Sequence, residues 1–167
     1  EHPESVRGRV DLQPLAGYFE DAASVGVRNC FRAAIDRIGK SQRIAAPRPL
    51  PGSFEKLHDR HRRIMAVDAA AHHRIVFAQR PDDFGPNITS LINTGLTERA
   101  VDYAEDVDCR LRFRDEMSEF LGNNALAVTP STTMAAPSLE TTGDPAFNSL
   151  WSFAGLPAIT IPCGVDD

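Results

Sequence analysis

Two short apolar runs constrain this chain more than anything else in it. Ala125-Leu126-Ala127-Val128 precedes Thr129-Pro130, and Ala158-Ile159-Thr160-Ile161 precedes Pro162-Cys163-Gly164. Neither run alternates apolar with polar residues. A strand covered on both faces reads this way, and such strands belong to parallel sheets flanked by helices. The sequence therefore predicts that 125–128 and 158–161 are buried strands of one sheet, with Ile159 deep enough that a charge there would cost several kcal/mol.

The rest of the chain supplies the helices. Val27, Phe31, Ala34 and Ile38 recur at helical spacing, widened by Cys30 and Ile35, and predict a helix over 20–39. Residues 43–46 read as a short strand stopped by Pro47, Pro49 and Pro51. Residues 1–19 read as irregular, with a short strand open to Val10 and Leu12. A second helix is predicted over 53–79, with Ser53 as N-cap and Phe54 in its stripe. A shorter helical piece near 87–93 is expected to end at Gly95, and a third long helix is expected over 97–122. A last helix is predicted over 145–154, with Asp144 as N-cap and Pro145 at its first position. Helices alternating with few, short strands make this an α/β chain with a helix-rich insert. So thin a sheet suggests that further strands lie outside the chain.

Composition excludes several function classes. The chain has 167 residues, 42% hydrophobic and 25% charged, as soluble globular domains do. No apolar run reaches the ~18 residues that a membrane span needs. The start, Glu1-His2-Pro3-Glu4, lacks the basic and apolar regions of a secretory signal. A cytoplasmic, non-membrane protein is expected. Its formal charge of −5 is scattered, so nucleic acid is not expected as a partner. The densest basic patch, Arg60-His61-Arg62-Arg63, reads as a solvated helix face.

No cofactor is expected. Neither a GxGxxG nor a P-loop pattern occurs. Cys30, Cys109 and Cys163 show no zinc spacing and read as reduced thiols. His58, His61, His72 and His73 share one helix. Glu55/His58, His58/His61 and Asp68/His72 share helix faces, but without an HExxH pattern they read as packing or surface histidines, and no metal is assigned. No Gly-x-Ser-x-Gly elbow is present, and Ser131, Ser138, Ser149 and Ser152 lack an evident base. Lys40 and Lys56 are the only lysines, both among polar helical neighbours.

The run Thr141-Thr142-Gly143-Asp144-Pro145-Ala146-Phe147-Asn148-Ser149-Leu150-Trp151-Ser152-Phe153-Ala154-Gly155-Leu156-Pro157-Ala158-Ile159-Thr160-Ile161-Pro162-Cys163-Gly164 closely resembles the late part of amidase signature enzymes. That family includes bacterial amidases, fatty-acid amide hydrolase and the A subunit of the tRNA-dependent amidotransferase. Upstream, 125–137 is similar to the family's strand and loop of the D-x-L-x-x-P-T-x-x-x-x-A-P kind. Asn124 or Ala125 stands where Asp is frequent, and Ser131 where Thr is common. More loosely, 61–71 resembles the family's alanine-rich helix, and Gly95 with Asp102-Tyr103 its G-x-x-x-x-x-x-D-Y region.

The resemblance implies a partial α/β/α layered fold with a mixed sheet, in which 1–167 is the C-terminal part of a single amidase domain and 53–121 a helical segment within it. It implies hydrolysis of a carboxamide C–N bond in a small-molecule amide, by a serine nucleophile, a second serine on a cis peptide bond and a lysine base. This chain has no Ser-Ser pair and no Gly-Gly-Ser run. No catalytic residue is therefore carried over, and the missing N-terminal half of the enzyme becomes the expected partner, with a homodimer as a candidate assembly. The chain alone is expected to be inactive. Asp144, Phe147, Asn148 and Trp151 are candidates for the substrate-pocket wall. The competing structural reading makes Asp144 a cap, Asn148 a backbone partner and both aromatics core. A non-catalytic binding module built on the same half-fold is the alternative function. As a fragment cut from its missing half, the chain is expected to leave the aromatic helix with Phe147, Trp151 and Phe153 as its exposed apolar patch, whereas a complete binding module would protect Trp151.

Overall fold

A computed structural model describes residues 11–50, 57–122 and 125–165. The expectations for Val10, Ser53, Phe54, Glu55, Lys56 and Asn124 lie outside the described residues. The chain divides into two compact units. The first takes in the described parts of 1–52, 116–148 and 157–167; the second takes in those of 53–115 and 149–156.

The first unit is built on a parallel sheet whose strands lie in the order 48–49, 11–16, 125–128. Strand β1 (Asp11–Ala16) pairs with β3 (Ala125–Val128) from Asp11↔Ala125 to Pro14↔Val128, and with β2 (Arg48–Pro49) at Leu15↔Arg48 and Ala16↔Pro49. The three strands run parallel, and no antiparallel pair occurs among the described residues, where a mixed sheet was expected. Each step between paired strands is a long crossover that carries helices, which is the connection parallel pairing requires.

Two local expectations are corrected here. Residues 43–46 form no strand beyond a single bridge, Leu12↔Ile44, with Leu12 N–H donating to Arg43 O (3.0 Å) and Ala45 N–H to Leu12 O (2.8 Å). The cause lies in β1. Leu12 directs both backbone groups to this side, so alternation turns Pro14 to the same side, and Pro14 has no N–H to give. The buried Gln13 amide covers the gap, donating to Ala46 O at 2.7 Å and Pro14 O at 3.1 Å. Pairing resumes at Arg48–Pro49, beyond the proline that was expected to end it.

The predicted helix over 20–39 is two helices, α1 (Tyr18–Ala22) and α2 (Val25–Ile38). Ser24 adopts an extended backbone between them, and its hydroxyl caps α2 by accepting from Val27 N–H (3.2 Å). Arg28 reaches back to the carbonyls of Glu20 (3.0 Å) and Ala23 (2.7 Å), satisfying backbone acceptors that the break sets free.

The second unit is helical. It holds α3 (Leu57–Gln79), a 3-10 turn (Pro81–Asp83), α4 (Pro86–Thr97) and most of α5 (Ala100–Leu121). Gly95 does not break α4. It lies inside it, where α4 crosses α3: a β-carbon there would overlap the Ala66 carbonyl and sit 2.9 Å from the Ala70 methyl. Ala66, Ala70 and Ile92 are buried along the same seam. Glycine is needed here for closeness, not for turning.

The basic patch is also more than a solvated face. Arg60 and Arg63, three residues apart on α3, each place a nitrogen 2.6 Å from one oxygen of Asp106 on α5. Asp106 is fully buried. Arg63 further pairs with Glu98 (3.2 Å), and Tyr103 donates to Asp68 (2.9 Å).

The last helix, α6 (Ala146–Ala154), begins in the first unit and ends in the second. Past it, 157–165 carries no helix or strand. The strand predicted at 158–161 is thus absent, and Ile159 and Ile161 are 88% and 63% exposed. Its apolar character was legible, but a strand also needs a neighbour to bond. Leu126 of β3 is exposed too, so 125–128 is a strand, though not one covered on both faces.

Candidate functional site

The loop between β3 and α6 folds back on itself beside the start of α6. Gly143 takes a left-handed backbone (φ 83°), and its N–H is held by the Thr141 hydroxyl at 3.1 Å. That turn delivers Asp144 to the head of α6, where a carboxylate oxygen accepts from Ala146 N–H at 2.9 Å. One turn on, the Asn148 amide donates to Ser131 O at 3.3 Å, tying the helix to the start of the loop. Between these two anchors lies a cavity of about 240 Å³. Hydroxyl-bearing Ser131, Thr132 and Thr142 line it with Asp144 and Asn148, and Met134 and Pro137 supply apolar wall.

The predicted pocket residues are thus divided. Asp144 and Asn148 line the cavity while also making the cap and backbone contacts of the structural reading. Phe147 is fully buried, packed edge-on against Phe19 (5.1 Å) and Tyr18 (5.9 Å). Trp151 is half-buried within the second unit. Thr132, Met134 and Thr142 were missed as lining residues. Only their place in a Ser/Thr/Pro loop before a helix pointed to them. Ser138 lies in the same loop and is not among the lining residues.

The aromatic helix is not the exposed patch. Phe147, Leu150 and Phe153 are buried, and large apolar exposure falls instead on Leu139, Ile159 and Ile161. Nine residues of regular helix put 147, 150 and 153–154 on its inward side.

Burial, and then the nearby Asp144 charge, raise the Tyr18 phenol above its ordinary value, so it is neutral at physiological pH. In the second unit, His61 packs edge-on to Phe153 at 6.2 Å. Burial lowers its affinity for a proton, and repulsion from His58 and Arg110 adds to this. His73 and Phe77 both pack against Phe84. Among the described residues, no group of three His, Cys, Asp or Glu side chains is placed to hold a metal ion. Nor is any helix among them long and apolar enough to cross a membrane.

Amidases are among the known proteins that this chain is similar to. Proteins named amidase AmiD from Mycobacterium bovis and Mycobacterium tuberculosis are 28% identical over 110 residues, covering 59% of this chain and 23% of theirs. A solved structure described as that of an amidase superposes with TM-score 0.74 at 22% identity, over 92% of this chain and 39% of that one. A second matches as well, over 87% of this chain and 34% of that one. It is described as a vestigial protein complex revealing the evolutionary origins of an s-triazine catabolic enzyme. No family model matches. The chain spans about a quarter of the length of the curated relatives it matches. Its resemblance to the amidases is carried by sequence and by fold, over part of their length.

Proposed function

We propose that this chain is the C-terminal part of an amidase of the amidase signature kind, hydrolysing the C–N bond of a small-molecule carboxamide in the cytoplasm. The observation that carries the reading is coverage. Nearly all of this chain superposes on a solved amidase while spanning 39% of it. A serine nucleophile, its cis-peptide serine partner and a lysine base would then come from sequence outside this chain, consistent with the lack of a Ser-Ser pair within it.

In this reading the cavity beside α6 contributes wall, not chemistry. Asp144 and Asn148 fix the loop through backbone bonds, and the hydroxyls of Ser131, Thr132 and Thr142 offer a polar amide donors and acceptors. Phe147 shapes that wall from behind, as core. Trp151 remains a candidate for the pocket of the whole enzyme.

The test is an ammonia-release assay on simple aliphatic and aromatic carboxamides, run on the 167-residue chain and on a longer protein carrying an upstream serine–lysine half. Turnover by the longer protein alone supports the proposal. Turnover by the chain alone that vanishes with Lys40→Ala would overturn it. Absence of turnover from both would favour the binding module.

A further inference from the structure

Residues 163–165 run along one face of α2. The Cys30 thiol donates to Val165 O at 3.1 Å. Arg37, seven residues and two helical turns further along that face, donates to Cys163 O at 2.9 Å. Between these contacts, a β-carbon at Gly164 would sit 3.3 Å from the Cys30 sulfur and 3.6 Å from its β-carbon. Gly164 and Val165 thus both lie against the thiol, and Cys163 is one Cα–Cα step of about 3.8 Å from Gly164.

We propose that Cys30 and Cys163 form a redox pair, closing a disulfide when the 157–165 segment slides by one residue along α2. Bridged cysteines need Cα atoms about 4.4–6.8 Å apart, a separation that puts Cys163 where Gly164 now lies. The slide is structurally cheap. No helix or strand occurs in 157–165, so no ladder of strand hydrogen bonds holds this register, and the side-chain contacts from Cys30 and Arg37 would re-form in the new one. Both thiols are free, Cys163 is exposed and Cys30 half-exposed. Cys109 lies on α5 and takes no part.

The oxidant is a hydroperoxide. The Cys163 sulfur, the more exposed, attacks a peroxide oxygen; the O–O bond breaks, one water or alcohol leaves, and a sulfenic acid forms. The Cys30 sulfur then attacks that sulfur, the S–S bond forms and hydroxide leaves, taking up a proton as water. Two thiol hydrogens and two electrons pass to the peroxide. Neither cysteine has been assigned a part in amide hydrolysis.

The test is to treat the folded 167-residue chain with stoichiometric hydrogen peroxide, alkylate the remaining thiols and digest it without reductant. The expected product is one intramolecular Cys30–Cys163 peptide, lighter by two hydrogens, released by dithiothreitol, with Cys109 alkylated. Cys109→Ser should keep the cross-link, whereas Cys30→Ser and Cys163→Ser, each with unchanged circular dichroism, should abolish it. Over-oxidation of the two cysteines separately, a bridge through Cys109, or a bridge between two chains would each overturn the proposal.

Discussion

The carboxylate of Asp106, fully buried, meets the guanidinium of Arg63 at 2.6 Å, and Arg60 takes its other oxygen at the same distance. Two cations within one turn of α3 are thus committed to one anion on α5. Since both arginines stay about one-third exposed, they can be hydrated if the anion is lost.

Replacing the anion should therefore cost near the low end for a broken buried pair. Asp106→Ala is expected to lose about 3 kcal/mol in urea unfolding. Asp108, on the same helix, pairs with Arg112 in solvent, and Asp108→Ala should change stability by less than about 0.5 kcal/mol. Equal effects from the two would show that burial of Asp106 carries no weight.

Gly95→Ala should destabilise the protein, against helix propensity. Alanine in place of a mid-helix glycine ordinarily gains up to about 1 kcal/mol. Here its methyl meets the Ala66 carbonyl, and overpacking of that kind costs about 1–3 kcal/mol. A net loss is expected in thermal unfolding. A gain would mean that α3 and α4 can separate freely.

Stability should fall as pH drops below the ordinary histidine range, and His61 should contribute to that fall. Its folded proton affinity is lowered from 6.5, so the unfolded chain binds the proton more readily. The contribution is present above pH 6.5 and is lost as pH falls through 6.5 toward the folded value. A proton NMR titration should place His61 below the ordinary histidine value of 6.5. His61→Gln should flatten the pH dependence of the urea midpoint; an unchanged slope would count against the assignment.

Ile159→Lys should be nearly neutral, within about 0.5 kcal/mol, since the side chain is almost fully exposed in this chain. It should also raise solubility, because it removes one of the large exposed apolar groups. In a longer protein that pairs 158–161 into a sheet, the same change should cost several kcal/mol. Urea midpoints of both proteins, each with and without the substitution, make the comparison.

Helices were legible wherever their own periodicity decides them. α3 and α5 fall within the predicted helical ranges, although Met65, Ile75 and Leu111 are exposed and α5 buries Asp106 and Phe113 instead, while α6 follows its Asp144 cap and its buried Phe147, Leu150 and Phe153. What escaped depends on partners distant in sequence. Nothing near Gly95 announces Ala66, and nothing in the Arg60–Arg63 patch announces Asp106. Pro14 reads as a breaker until it is clear which neighbour its missing N–H faces. Ile159 shows the reverse: apolar character alone does not make a strand. At the cavity, Asp144 and Asn148 were legible through the turn and helix they serve, whereas Met134 was not, because its place depends on how the loop closes.

The register of β1 also sets an order of assembly during synthesis. Asp11–Pro14 are made well before Ala125–Val128, so their pairing must wait until the whole stretch between them has left the ribosome. Helices α3 and α4, which need only each other at the Gly95 crossing, can dock well before then. The nascent chain therefore carries β1 with one edge unpaired until Ala125–Val128 emerges, and that interval, more than the finished fold, is when it is open to aggregation.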